Sequence, residues 1–195
     1  MYAKCGFLRE AQKMFDDLVV QDVVSWNVLI KGYAQQKSDA KTALKSFQQM
    51  QLEGKCPNSV TFLGMLKACS SIGALLMGQQ IHAQIVPDQL QAKEIVVNNA
   101  LIDMYTKCGA LKKAQDVFDE LPIRDVVSWS SLIGGYAEKE MGSKPLSCFE
   151  RMQNESISPD SITFTFIMKA CGKIGAFGKG CQIHSEILNT GLSRN

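Results

Sequence analysis

No apolar run in this chain approaches the ~18 residues that a membrane-crossing helix needs. No Cys-x-x-Cys occurs, and the seven cysteines are an odd number, which argues against a closed disulfide framework. Cys5 and Cys108 stand 103 residues apart, and Cys69 and Cys171 stand 102 apart; these are not metal-ligand spacings. The cysteines are expected to be small buried apolar residues in a reducing compartment. Charge of one sign is missing too: 21 basic residues face 19 acidic ones, for a net charge of +2. A protein that coats nucleic acid by charge alone is far more basic, so any such contact here must lean on specific side chains. Phosphate-binding glycine loops, a Gly-x-Ser-x-Gly elbow and paired catalytic carboxylates are all absent. His184-Ser185-Glu186 spells the His-x-Glu of zinc deaminases, but no Pro-Cys-x-x-Cys follows it. Its repeat-equivalent stretch is His82-Ala83-Gln84, so a repeat-position histidine is the expected reading. No cofactor, metal site or enzymatic activity is expected. The start, Met1 to Gly6, has neither a secretory nor an Arg/Ser-rich transit pattern.

What the chain does have is self-similarity. Residues 1–35 laid on 104–138, an offset of 103, match at 21 of 35 positions. Residues 57–86 laid on 159–188, an offset of 102, match at 15 of 30. The offset drops by one because the segment between Gln36 and Met50 is one residue longer than its partner. Matching landmarks divide the long period into Val23–Asn58 (36 residues), Ser59–Glu94 (36), Ile95–Asp125 (31), Val126–Asp160 (35) and Ser161–Asn195 (35). Met1–Asp22 is the tail of a further unit whose first nine positions are missing.

Each unit has the apolar spacing of two helices. Trp26, Leu29, Ile30 and Tyr33 make an i, i+3, i+4, i+7 stripe, and Ala43, Phe47 and Met50 make the next. Leu101, Met104 and Tyr105, then Leu111, Ala114, Phe118 and Leu121, repeat the scheme. Phe62, Leu66 and Cys69 mark a first helix in Ser59–Glu94. Gly109 follows a first helix, where a C-terminal cap needs positive φ. Ser59 and Ser161 stand before their apolar runs as N-caps, with Asp22 and Asp125 as further candidates. No unit can bury its apolar face alone, so stacked helix pairs share one continuous core. At this level an RNA binder and a protein binder look alike.

The landmarks resemble the pentatricopeptide-repeat family, in its PLS subclass of land plants. VVSWNVLIKGYAQ and VVSWSSLIGGYAE look like starts of the P-type motif. SVTFLGMLKACSSIGALLMGQQIHAQIV and SITFTFIMKACGKIGAFGKGCQIHSEIL look like L-type motifs, and VVNNALIDMYTKCGALKKAQDVFDELPIRD like an S-type motif. The order is then partial S, P, L, S, P, L. A tetratricopeptide array would instead hold a uniform 34-residue period. The resemblance implies an all-α, right-handed superhelical solenoid of helix-turn-helix repeats that binds single-stranded RNA, N-terminus toward the RNA 5′ end.

In that family each P or S motif reads one base with its fifth and last residues. Amide and hydroxyl groups there can bond the Watson–Crick edge of an unpaired base. Carried over, Asn27 with Asn58 implies a pyrimidine, with C preferred. Asn99 with Asp125 implies U, and Ser130 with Asp160 implies G. The partial unit keeps only Asp22. In the L-like units Leu63 cannot hydrogen-bond a base, so Leu63 with Glu94 reads nothing, and Thr165 with Asn195 stays open. The second positions, Val24, Val60, Val96, Val127 and Ile162, are apolar and β-branched and would wedge between bases; ordinary helix-start packing is the alternative. Lys4, Lys107 and Lys173 share position 13 and could reach phosphates.

Two functional readings follow. One is an RNA-address reader for an organellar processing factor, by resemblance C-to-U editing in a chloroplast or mitochondrion, with the chemistry in a deaminase domain in cis or in trans. The other is a scaffold for organellar editing-factor proteins that bind L-type repeats.

Overall fold

The computed structural model describes residues 7–85 and 95–189. Among them there are eleven α-helices and no strand. They fall into two compact units, Met1–Cys108 and Gly109–Asn195.

The first unit holds α1 (Leu8–Asp16), α2 (Val23–Ala34), α3 (Ala40–Leu52), α4 (Ser59–Ile72), α5 (Leu75–Ile85) and α6 (Ile95–Lys107). Helices α2, α4 and α6 pack in succession, with α1, α3 and α5 against them. The second unit holds α7 (Leu111–Asp119), α8 (Val126–Glu138), α9 (Lys144–Asn154), α10 (Ser161–Ile174) and α11 (Phe177–Asn189). There α8 packs on α10, with α7, α9 and α11 as the outer helices.

The apolar stripes are the core. Trp26, Leu29, Ile30 and Tyr33 are buried on α2, and Ala43, Phe47 and Met50 on α3. Leu101, Met104 and Tyr105 are buried on α6, and Ala114, Phe118 and Leu121 on or beside α7, while Leu111 is half-buried. Each buried Leu, Ile, Phe or Met side chain among them contributes roughly 1.5–3 kcal/mol, the alanines less.

Repeated sequence gives repeated contacts. Phe15 meets Trp26 edge-on with ring centres 4.5 Å apart, and Phe118 meets Trp129 at 4.6 Å. Tyr33 Oη donates to Gln12 Oε1 (3.0 Å), and Tyr136 Oη donates to Gln115 Oε1 (2.7 Å). Gln51 Nε2 donates to Gln84 Oε1, and the equivalent Gln153 Nε2 to Glu186 Oε2. The extra residue near Gln36 is absorbed by a 3₁₀ turn, Lys37–Asp39, ahead of α3. The shorter equivalent instead passes through left-handed backbone at Glu140 (φ 55°) and Gly142 (φ 58°).

Helix boundaries correct one expectation. Ser59 and Ser161 are first helical residues, and the N-caps are Asn58 and Asp160. Asn58 and Asp160 sit in extended backbone, where a short side chain can turn back onto the N3 amide; the serines already have helical geometry. Asp22 and Asp125 cap α2 and α8. Gly109 has φ 79°, as a C-terminal cap requires.

The cysteines divide more than their composition suggests. Cys69, Cys148 and Cys171 are buried and Cys108 is half-buried, but Cys56 and Cys181 are exposed. Burial pushes the Cys69 thiol up to about 12 and the Cys148 thiol to about 11, so both stay protonated at neutral pH.

Candidate nucleic-acid interface

The candidate residues lie at the heads of the first helices. Four of these helices, α2, α4, α8 and α10, open on a short polar residue that is also the last residue of the preceding unit. Asp22 Oδ1 accepts from the Ser25 amide (2.8 Å), Asn58 Oδ1 from Thr61 (3.2 Å), Asp125 Oδ1 from Ser128 (2.8 Å) and Asp160 Oδ1 from Thr163 (2.7 Å). The capping bond fixes the last residue in space; the two roles, cap and candidate reader, fall on one side chain. The Ser25 hydrogen bonds hold the Asp22 carboxyl below the ordinary 3.8.

The second residue of each helix follows directly. Val24, Val60, Val96, Val127 and Ile162 are all exposed, between 45% and 67%. Helix-start packing would have buried them; instead five branched apolar side chains stand at the surface. Each lies three residues before the fifth position, on the same helix face.

The fifth residues are nearly covered. Asn27, Asn99 and Ser130 are 7–8% exposed. Asn27 meets Asn58 directly: its Nδ2 donates to Asn58 Oδ1 at 3.0 Å. Thr61, fully buried on α4, donates its hydroxyl to Asn27 Oδ1 at 2.6 Å. Sequence reasoning passed over this threonine, although its equivalent Thr163 recurs at the same offset. Ser130 behaves differently. Its hydroxyl donates to its own helix at the Val127 carbonyl (3.1 Å), and no hydrogen bond joins it to Asp160 among the described residues. Asp160 Oδ1 accepts the Thr163 hydroxyl (2.7 Å). Asn99 lies on α6 in the first unit, and Asp125 heads α8 in the second.

The L-like units differ. Leu63 is half-buried, and the exposed Thr165 donates to the Ser161 carbonyl. Glu94, Asn195 and Lys4 lie outside the described residues. Lys107 is ion-paired with Asp103 one helical turn away (2.8 Å), and Lys173 with Glu140. The pairing holds the Glu140 carboxyl below its ordinary range. His184 is exposed, and among the described residues no group of three or more His, Cys, Asp or Glu could hold a metal ion.

Comparison with known proteins agrees with this arrangement of helices. The model of the PPR repeat family matches residues 21–71 and 124–173, and that of the PPR repeat matches 1–23 and 99–126. A pentatricopeptide repeat-containing protein of Arabidopsis thaliana is 40% identical over 180 residues, covering 92% of this chain and 24% of its own length. A chloroplastic one from the same plant is 37% identical over 189 residues (96% and 23%), and a mitochondrial one 34% identical over 183 (94% and 29%). The chain thus spans about a quarter of the length of the curated relatives it matches. Among solved structures, the pentatricopeptide repeat protein PPR10 from maize superposes with a TM-score of 0.70 at 22% identity, covering 97% of this chain and 28% of PPR10. PPR10 in complex with an 18-nt psaJ RNA element gives 0.77 at 20% identity (93% and 28%). At such identity the likeness shows the fold, an all-α repeat solenoid.

Proposed function

From the premise that this chain belongs to the pentatricopeptide-repeat family, we propose that it is a sequence-selective binder of single-stranded RNA. One observation carries the reading. Asn27 and Asn58, 31 residues apart, converge to 3.0 Å beside an exposed Val24, so amide groups and an apolar ledge stand together at the head of α2. An unpaired base offers a flat apolar face and a polar edge, and that arrangement is its complement. The PPR10 complex with RNA supports the class of ligand. In this proposal the fifth and last residues, Asn27/Asn58, Asn99/Asp125 and Ser130/Asp160, read a pyrimidine, U and G in that order, with one unread base after the first. Asp22 and the pair Thr165/Asn195 are the outlying candidates. In this proposal the chain acts by binding. It supplies the address for an organellar RNA-processing factor, C-to-U editing first, whose deaminase domain lies elsewhere in cis or in trans. The chloroplastic and mitochondrial relatives support an organellar setting.

A second reading has its own observation. Lys107 and Lys173 are tied to carboxylates rather than free for phosphates, and the net charge is only +2. That suits a scaffold for editing-factor proteins. Filter binding to a short single-stranded RNA library separates the two. Enrichment of pyrimidine-x-U-G supports the RNA reader; retention of no RNA sequence above the pool sinks it and leaves the scaffold.

A further inference from the structure

The Asn27–Asn58 pair has a polarity that its surroundings impose, and the origin of that polarity is a pair of backbone amides. The Thr61 N–H donates to Asn58 Oδ1 (3.2 Å), and the Asn58 N–H donates to Thr61 Oγ1 (3.1 Å). Backbone amides can only donate, so neither bond can be reversed. The first fixes which end of the Asn58 amide turns inward: its oxygen. That oxygen then takes Nδ2 of Asn27, which places Asn27 Oδ1 on the other side, against Thr61. The Thr61 hydroxyl already accepts from Asn58, so its single hydrogen is left to donate; of the two acceptors in reach, Asn27 Oδ1 at 2.6 Å is much the closer and Asn58 Oδ1 stands at 3.1 Å. With Asn27 Oδ1 turned toward buried Thr61, what the pair turns toward a ligand is N–H: the second hydrogen of Asn27 Nδ2, and Nδ2 of Asn58, which has no protein partner among the described residues.

We infer that Thr61 is a specificity-determining residue, a hydroxyl that locks the Asn27 amide so that this unit presents donors and selects cytosine over uracil. The inference rests on the RNA-binding reading above. Cytosine places two acceptors, N3 and O2, side by side on its Watson–Crick edge. Uracil places an N–H between its two carbonyls, and that N–H faces donors. Thr61 never needs to touch the base. Because it is fully buried, its loss leaves Asn27 Oδ1 without a donor in a covered site, and an unsatisfied buried acceptor is costly. Without that donor the Asn27 amide is free to turn its oxygen outward, where the N3–H of uracil can satisfy it.

The test uses the 195-residue chain and unpaired RNA ten-mers that differ only at the first base of the pyrimidine-x-U-G core. Wild type should prefer C to U by about tenfold, the worth of roughly one hydrogen bond. Thr61→Val, matched in volume, should bring that ratio to within about twofold of unity. Preferences at the U and G positions should not move, which separates the effect from general destabilisation. An unchanged C-to-U ratio in folded Thr61→Val overturns the inference and leaves the RNA reading standing. A second measurement needs no variant. Pyrimidin-2-one keeps N3 and O2 but lacks the exocyclic amine, and wild type should bind it as it binds cytosine. Binding no better than uracil overturns the inference even if Thr61→Val fails to fold. Absence of any single-stranded RNA binding by folded wild type overturns the RNA reading and this inference together.

Discussion

Single residues in equivalent places show what each chemistry contributes. Gly54 and Ser156 occupy the same point after their second helices, and both are left-handed, with φ of 70° and 59°. Glycine adopts that geometry without a Cβ penalty, whereas an L-residue is strained there by roughly 1–2 kcal/mol. Ser156→Gly should therefore stabilise the protein by about 1 kcal/mol, read as a higher urea midpoint at unchanged slope. Gly54→Ala should lower stability by a similar amount. A second residue-scale prediction concerns base choice. Ser130 is turned to the Val127 carbonyl, while its equivalent Asn27 reaches the last residue of its unit. Ser130→Asn should extend toward Asp160 in the same way and shift that unit from G toward U, changing relative affinity by about tenfold. Identical base ranking by the two proteins at that position would remove Ser130 from the reading set.

At the scale of the helix, the caps link stability to the candidate interface. At Asp22, Asn58, Asp125 and Asp160 the last residue of a unit accepts the N3 amide of the next first helix, so it cannot be altered for base choice without touching the fold. Asn58→Ala should cost about 1 kcal/mol or more, since the Thr61 amide loses its cap and Asn27 Nδ2 loses the same acceptor, Asn58 Oδ1. Asp22 adds a pH dependence. Its hydrogen bonds with Ser25 lower its folded pKa below the ordinary 3.8, so its contribution is complete above that value and is lost as pH falls through the folded pKa. Asp22→Asn keeps a capping side chain that does not titrate. Thermal midpoints of wild type and Asp22→Asn, compared at pH 7 and near pH 3, should show the smaller drop in the variant; equal drops would exclude Asp22 from the acid response.

For the whole molecule, the near balance of charge decides how binding should behave. Lys107 and Lys173 are engaged by Asp103 and Glu140, and with 19 acidic residues against 21 basic ones the net attraction for phosphates is small. The salt dependence of RNA affinity should be shallow, a log–log slope of magnitude below about 3, because each neutralised phosphate of a single strand contributes about 0.7. The same dependence on base edges predicts a preference for an unstructured strand over a duplex of the same sequence. Equal affinity for a hairpin stem would contradict edge reading.

The sequence by itself determined the all-α class and the helical stripes, because apolar spacing and internal repetition are local properties that every copy states again. Trp26 and Trp129, Phe15 and Phe118, Tyr33 and Tyr136 recur in the chain and recur in their contacts. It also exposed the polar fifth and last positions, through resemblance rather than through spacing. The cap assignment was off by one residue at Ser59 and Ser161, because Ser, Asn and Asp are all competent caps and only the backbone torsions separate them. Tertiary structure decided three further matters. It set the exposure of the five second-position side chains, and it drew Lys173 onto Glu140, 33 residues earlier in the chain. It also joined Thr61 to an asparagine 34 residues earlier in the chain. That last bond exists only because α4 packs on α2. No local pattern encodes the orientation of an amide that is fixed by a neighbouring helix.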